Sequence, residues 1–285
     1  TYSLRDRQRS ANGYRLRENR LAEPRTFLEQ ESTSESGGLS HNLNTSVDYR
    51  LSDANTLSLS AMLSGRARDG IDEDLNLGFD ANDLILDRYM NRNQDERSDF
   101  GMDYRLSFRR ETARGAGRET PSLTAEARYE RDVEDETESR ALSLLDAQMS
   151  PLPEGITEEQ RVLQDEIGSE VSAQLDYVRP LGDHLTSEAG YRGSLERIDS
   201  DLYSETRTPA SGAFLPDLDL NNAFAYEQQI HAGYGMISGG TGGLEAQIGL
   251  RAEAVATEFD LLTTDETFDH DYVSLYPSVH LSFGP

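Results

Sequence analysis

The sequence predicts an all-β fold: a transmembrane, antiparallel, up-and-down β-barrel, partial, of about ten strands, with long extracellular loops and short periplasmic turns. Three observations predict it. Apolar and polar residues alternate with period 2 in a series of stretches spaced along the 285 residues, the spacing of strands with one apolar face. Hydrophobic residues make up only 35%, too few for an ordinary soluble core but natural for strands with lipid on one face and a polar lumen on the other. Short and long connections alternate along the chain, which in a meander gathers the short turns at one end.

The clearest unit runs from Leu39 to Leu63. Leu39, His41, Leu43, Thr45, Val47, Tyr49 and Leu51 form one face, and Ser40, Asn42, Asn44, Ser46, Asp48 and Arg50 the other. Ser52-Asp53-Ala54-Asn55 are turn formers, after which Leu57, Leu59, Ala61 and Leu63 resume the alternation. Before this hairpin, residues 1–6 read as the end of a strand. Residues 7–38 read as a solvated loop, first rich in arginine and then acidic, closed by Gly37-Gly38.

Residues 65–97 read as an acidic loop carrying Asp69, Asp72, Glu73, Asp74, Asp80, Asp83 and Asp87, without the spacing of an EF-hand. A strand follows from Phe100 to Phe108, then an Arg/Gly/Thr-rich connection at 110–121 and a return strand from Leu123 to Tyr129. Residues 131–166 read as the longest insertion, with Pro151, Pro153 and Gly155 as breakers. The capping-box spacing of Thr157-Glu158-Glu159-Gln160 predicts a short helix there. Strands at 167–177 and 185–191 flank a turn at Pro180-Leu181-Gly182-Asp183, and a loop is expected at 196–222.

The third hairpin pairs Phe224–Met236 with Leu244–Ala252 across Gly239–Gly243, with Glu227, Gln229, His231, Glu245, Gln247, Arg251 and Glu253 expected to face inward. A loop at 257–271 and a last strand, Val273–Phe283, complete the series. These strands, about 9 to 13 residues each, match the span needed to cross a bilayer at a tilt. Tyr49, Phe108, Tyr129, Tyr177, Phe224, Tyr226 and Phe283 near the stripe ends are expected to form an interfacial girdle.

The charge balance excludes some functions. With 53 acids, 27 bases and a net charge of −26, nucleic acid is not an expected partner. All the bases are arginine, and the absence of cysteine removes disulfides and thiolate metal sites. The five histidines, His41, His184, His231, His270 and His280, lack metal-ligand spacing. His41 suits a girdle position and His231 a lumen position. No nucleophile elbow or phosphate loop is present. The sequence thus assigns no catalytic, cofactor-binding or metal residue, and does not single out ligand-binding residues. Asp48, Arg50, Asp103, Arg105, Glu126, Arg128, Glu170, Asp176, Glu188, Glu227, Arg251 and Glu253 are expected to build a salt-bridged lumen wall.

Three stretches carry a family resemblance. Leu175-Asp176-Tyr177-Val178-Arg179-Pro180-Leu181-Gly182 with Glu188-Ala189-Gly190-Tyr191, the run Ile248-Gly249-Leu250-Arg251-Ala252-Glu253, and the ending Leu275-Tyr276-Pro277-Ser278-Val279-His280-Leu281-Ser282-Phe283 resemble the barrel domain of TonB-dependent receptors. The resemblance implies an outer-membrane receptor, not an enzyme, that imports a scarce ligand such as a ferric siderophore. It implies outer-membrane lipid, an N-terminal plug and the TonB complex as partners, and no cofactor. The sequence contains neither plug nor TonB box, and Thr1-Tyr2-Ser3-Leu4 reads as mid-strand. Residues 1–285 are therefore expected to be one barrel segment cut from a longer receptor. Two alternatives stay open: a small autonomous outer-membrane barrel with a structural or adhesive role, and a soluble acidic β-protein that binds calcium or carbohydrate.

Overall fold

The computed structural model describes residues 1–21, 23–111, 121–182, 184–208 and 212–283, without the side chains of 153–157. The strands are Tyr2–Asn19 (β1), Thr26–Ser52 (β2), Asn55–Asp80 (β3), Ile85–Glu111 (β4), Ser122–Leu145 (β5), Pro151–Pro180 (β6), Leu185–Arg207 (β7), Leu215–Pro216 (β8), Asn222–Thr241 (β9), Leu244–Leu261 (β10) and Glu266–Phe283 (β11). Ten long strands form one antiparallel meander in chain order, and the two-residue β8 lies against β7. β1 and β11 are the two edges and do not pair with each other, so the sheet is open.

The expected hairpins are present, and their turns fit their residues. Gly242 and Gly243 both have positive φ, 60° and 83°, as a two-residue hairpin turn of the primed type requires. Gly182, at φ 85°, reverses the chain between β6 and β7. At the opposite end, Asp80 Oδ1 accepts from the amides of Asn82 and Leu84 at 2.8 and 2.9 Å. Asp146 Oδ1 does the same for Gln148 and Ser150, at 2.8 and 2.9 Å. Each aspartate thus satisfies the turn's free donors. These backbone bonds hold the Asp80 carboxyl below its usual range.

The expected long loops are instead continuations of the strands. Most of residues 7–38, 65–97 and 131–166, much of 196–222 and the flanks of 257–271 lie in paired strands of 18 to 30 residues. Gly37-Gly38 is mid-strand, pairing with Asp69 and Arg68. The helix expected after Thr157 is strand β6, where Glu159 pairs with both Ala141 and Arg207. The connection at 112–120, Asp183 in the β6–β7 turn, and Gly284-Pro285 lie outside the described residues.

The reason lies in solvent exposure. The apolar face is confined to a band, Leu39–Leu51 on β2, Leu57–Ala67 on β3, Phe100–Phe108 on β4, Leu123–Val133 on β5 and Ile167–Tyr177 on β6, of about 9 to 13 residues per strand. Arg131 interrupts it near its upper edge. Above the band the same face carries Glu35, Asp69, Glu73, Glu96, Asp135, Asp165 and Asp201. There both faces meet water, so the hydrophobic alternation ends while backbone pairing continues. Cross-strand charge pairs accompany it, such as Arg97–Glu134 at 2.7 Å and Arg92–Glu73 at 3.6 Å.

Register also corrects β9. Tyr191 pairs with Gly233, and Leu250 with Gly235, so the apolar face of β9 is His231, Gly233, Gly235 and Ile237. Ile230, Ala232, Tyr234 and Met236 lie on the polar face with Arg251 and Glu253. Glu227, Gln229 and His231 therefore do not face inward. Of the expected girdle, Tyr49, Phe108, Tyr177 and Phe283 lie on the apolar face near the short turns, and Tyr129 within the band. Phe224 and Tyr226 lie on the polar face above it.

Candidate functional site

The polar face is the chemically distinctive surface. Inside the apolar band, alternation forces every second residue of each strand onto it. Arg128 on β5 reaches Asp103 on β4 at 2.7 Å and Glu130 at 2.8 Å. Arg105 meets Glu126 at 3.4 Å, and Arg251 meets Glu253 at 2.9 Å. Above the band Arg97 gathers Asp99, Glu134 and Glu136 at 2.9, 2.7 and 3.7 Å. The expected salt-bridged wall is thus assembled from Asp103, Arg105, Glu126, Arg128, Arg251 and Glu253. Asp48 instead accepts a bond from Ser58 Oγ at 2.5 Å. Glu227 belongs to the other face, where Arg197 donates to it at 2.7 Å.

Two features of this wall are not legible as motifs. Tyr234 crosses the whole width of β7 to donate to Asp176 on β6, and its hydroxyl lies 3.5 Å from Glu188. The path runs directly over Gly190, where a Cβ would sit 2.5 Å from the ring. Glu130, Glu170 and Glu196 stand in one cross-strand row, with Glu134 and Glu166 in another. Arg128 and Arg97 take up Glu130 and Glu134. Like charges directly opposite one another repel, so this stretch needs water or a partner beside it.

An apolar cluster shares the polar face at the β7–β11 side. Ala232 and Val255 are 1% and 4% exposed, beside Ile230 and Tyr272. Phe224, Phe259 and Phe268 continue it upward, with ring centroids 5.3 and 6.3 Å apart. Burial pushes the Tyr226 hydroxyl pKa up there, with Glu196 adding to the shift. Sequence alternation misses this cluster because it reads Phe224, Ile230 and Ala232 as the lipid face and leaves Phe259 and Phe268 in the expected loop at 257–271.

The histidines take structural positions. His41 and His231 lie on the apolar face, with Nδ1 2.8 Å from Tyr2 Oη and 2.6 Å from Tyr191 Oη. Among the described residues no group of three or more His, Asp or Glu side chains has metal-holding geometry. An open depression of about 580 Å³ lies on the polar face, lined by Thr1, Ser46, Ser60, Met62, Asp103 and Arg105.

An antiparallel meander with a bilayer-wide apolar band on one face and a charged wall on the other defines a transmembrane β-barrel wall. The chain belongs to the outer membrane protein beta-barrel family, whose profile matches residues 115–284. It therefore resides in the outer membrane of a Gram-negative-type envelope, with lipid against its apolar face. No curated protein matches the sequence. Among solved structures, the ferric citrate transporter FecA in its unliganded form is similar at 10% identity and a TM-score of 0.35, over 90% of this chain and 40% of that one. The outer membrane protease OmpT from Escherichia coli is similar at 10% identity and a TM-score of 0.27, over 99% and 94% of the two chains. The chain spans about 40% of the length of FecA.

Proposed function

We propose that residues 1–285 form part of the barrel wall of a TonB-dependent receptor that imports a scarce ligand such as a ferric siderophore. The observation that carries this reading is the charged wall inside the lipid band: Asp103, Arg128 and Glu130, Arg105 and Glu126, Arg251 and Glu253. Ionised groups at membrane depth are tolerable only against water or protein polar groups. A barrel wide enough for a polar plug supplies both. The reading assigns the chain no catalysis. In its support, His41 and His231 are hydrogen-bonded to tyrosines rather than carboxylates.

The test is uptake of radiolabelled ferric siderophores by cells expressing the full-length protein, with and without TonB. The reading expects accumulation that disappears without TonB. Equal accumulation in both strains, or none for any siderophore, contradicts it.

A second reading has one observation in its favour. Ten long strands is an even number, and β1 and β11 run in opposite directions, so they could pair and close a small autonomous barrel with a structural or adhesive role. Cysteine pairs placed on β1 and β11 of the full-length protein separate the two. Efficient cross-linking supports the closed small barrel; its absence supports the longer one.

A further inference from the structure

We propose that the polar face of β1–β3, at the upper edge of the lipid band and just above it, is a binding site for a small, multiply anionic solute. The proposal deepens the uptake reading and rests on it only for its biological use.

On β1 the polar face reads Thr1, Ser3, Arg5, Arg7 and Arg9. Register places Arg5 opposite Ser40 and Ser40 opposite Arg66, and places Arg7 opposite Gly38 and Gly38 opposite Arg68. Arg9 faces Ser36 in the next row. Two arginine rows thus stand on either side of a floor made of Ser36, Gly38 and Ser40. They are two interstrand spacings apart, roughly 10 Å, with successive arginines on β1 about 7 Å apart. Ser and Gly leave the floor low, so five guanidinium groups look across the same trench.

The carboxylates do not neutralise them. Arg5, Arg7, Arg9 and Arg66 make no ion pair among the described residues, and Arg68 reaches Asp95 only at 4.0 Å. Asp99, which pairs with Arg66 across the sheet, is bonded to Arg97 at 2.9 Å. In a chain of net charge −26 the arginines of β3–β5 find acids readily, as the Arg97 and Arg128 networks show. Four clustered cations without an ion pair among the described residues, beside a fifth held only at 4.0 Å, therefore mark a place where negative charge comes from elsewhere. Guanidinium groups match carboxylate and phosphate geometry bidentately. The depression lined by Thr1, Asn44 and Ser46 opens immediately below, giving a bound solute space toward the lumen.

The experiment is isothermal titration of the full-length protein, folded in detergent, with citrate and with tripolyphosphate. Folding is checked by the heat-dependent gel shift. The expected result is saturable binding that weakens with salt. The triple variant Arg5→Gln, Arg7→Gln, Arg9→Gln should weaken it at least about tenfold, and Arg192→Gln, lower on the same face, less than about twofold. If the triple variant fails to fold, Arg7→Gln alone is read the same way, with an expected weakening of about threefold or more. Equal affinity for wild type and variant overturns the proposal. So does the absence of binding to either anion, especially with a variant that unfolds more easily, which would show the trench filled by an acidic segment of the same polypeptide. Because titration needs no transport, a failed titration leaves the uptake reading standing, and TonB-independent uptake leaves this site standing.

Discussion

Replacing Gly190 by alanine should break a contact that spans three strands. A Cβ at Gly190 would stand 2.5 Å from Cε1, Cζ and Oη of Tyr234, so the ring must leave its path across β7. With it goes the hydroxyl bond to the Asp176 carboxylate. A hydrogen bond to a charged group contributes about 1.5–3 kcal/mol. Alanine in a strand interior offsets about 0.5–1 kcal/mol of that by reducing unfolded-chain freedom. The net expected loss is about 1–2 kcal/mol. In a Tyr234→Ala background there is no ring to displace, and Gly190→Ala should be neutral or stabilising by up to about 1 kcal/mol. The assay is urea unfolding of the full-length protein folded into vesicles, followed by circular dichroism, for both single variants and the double. The account requires a coupling energy of about 1.5–3 kcal/mol between the two positions. If the two substitutions add within about 0.5 kcal/mol, the tyrosine does not cross over Gly190 and the reasoning fails.

Other consequences follow from the same geometry. Leu59→Arg, on the apolar face of β3 mid-band, should destabilise by about 2–4 kcal/mol in vesicle unfolding, and Leu39→Arg at the band's upper edge by about 0–1 kcal/mol. Arg97→Gln removes a network whose arginine is 42% exposed, so solvent screening should hold the loss to about 0.2–1 kcal/mol, vanishing in 1 M salt. Glu258 has its carboxyl pKa raised, chiefly by the Asp260 charge beside it, then by burial and Asp269. A raised folded-state pKa means its ionisation opposes folding, so stability is lost as pH rises through that value. Glu258→Gln should therefore melt higher than wild type at neutral pH, and the gap should close as pH falls below about 4. A constant gap across pH would contradict that sign.

What the sequence revealed follows its hydrophobic alternation. Leu57, Leu59, Ala61 and Leu63 against Ser58 and Ser60 gave the hairpin, its turn and its faces, because one face meets lipid and the other does not. The same signal disappears in Arg92-Asn93-Gln94-Asp95-Glu96-Arg97, where water wets both faces and only backbone pairing and cross-strand charges hold the strand. That stretch looks like a loop by composition and is a strand by register. β9 misled in the opposite way. Ile230, Ala232, Tyr234 and Met236 alternate like a lipid face, but the strand's lipid side is made largely of Gly233 and Gly235, and all four lie on the polar face, Ile230 and Ala232 beside Val255 and Tyr234 reaching Asp176. A strand's orientation is set by its neighbours' register, which no single strand carries. The lumen wall was legible as a mixture of charges, whereas the trench of unpaired arginines became visible only when β1 and β3 were seen to flank the small residues of β2.

The central claim is that one face of this sheet meets lipid over a band about 9 to 13 residues tall, and that the strands continue above it in water. Residues 1–285 contain no cysteine, so single cysteines can be placed in them, with any cysteine elsewhere in the full-length protein replaced by serine. The decisive measurement is fluorescence of a cysteine-attached probe at Leu59, Ser60, Val171, Ser172, Asp72 and Glu73, quenched in turn by a lipid-borne and a water-soluble quencher. The account predicts lipid quenching at Leu59 and Val171, aqueous quenching at Ser60 and Ser172, and aqueous quenching at both Asp72 and Glu73. Equal aqueous quenching at Leu59 and Ser60, or lipid quenching at either Asp72 or Glu73, would contradict it.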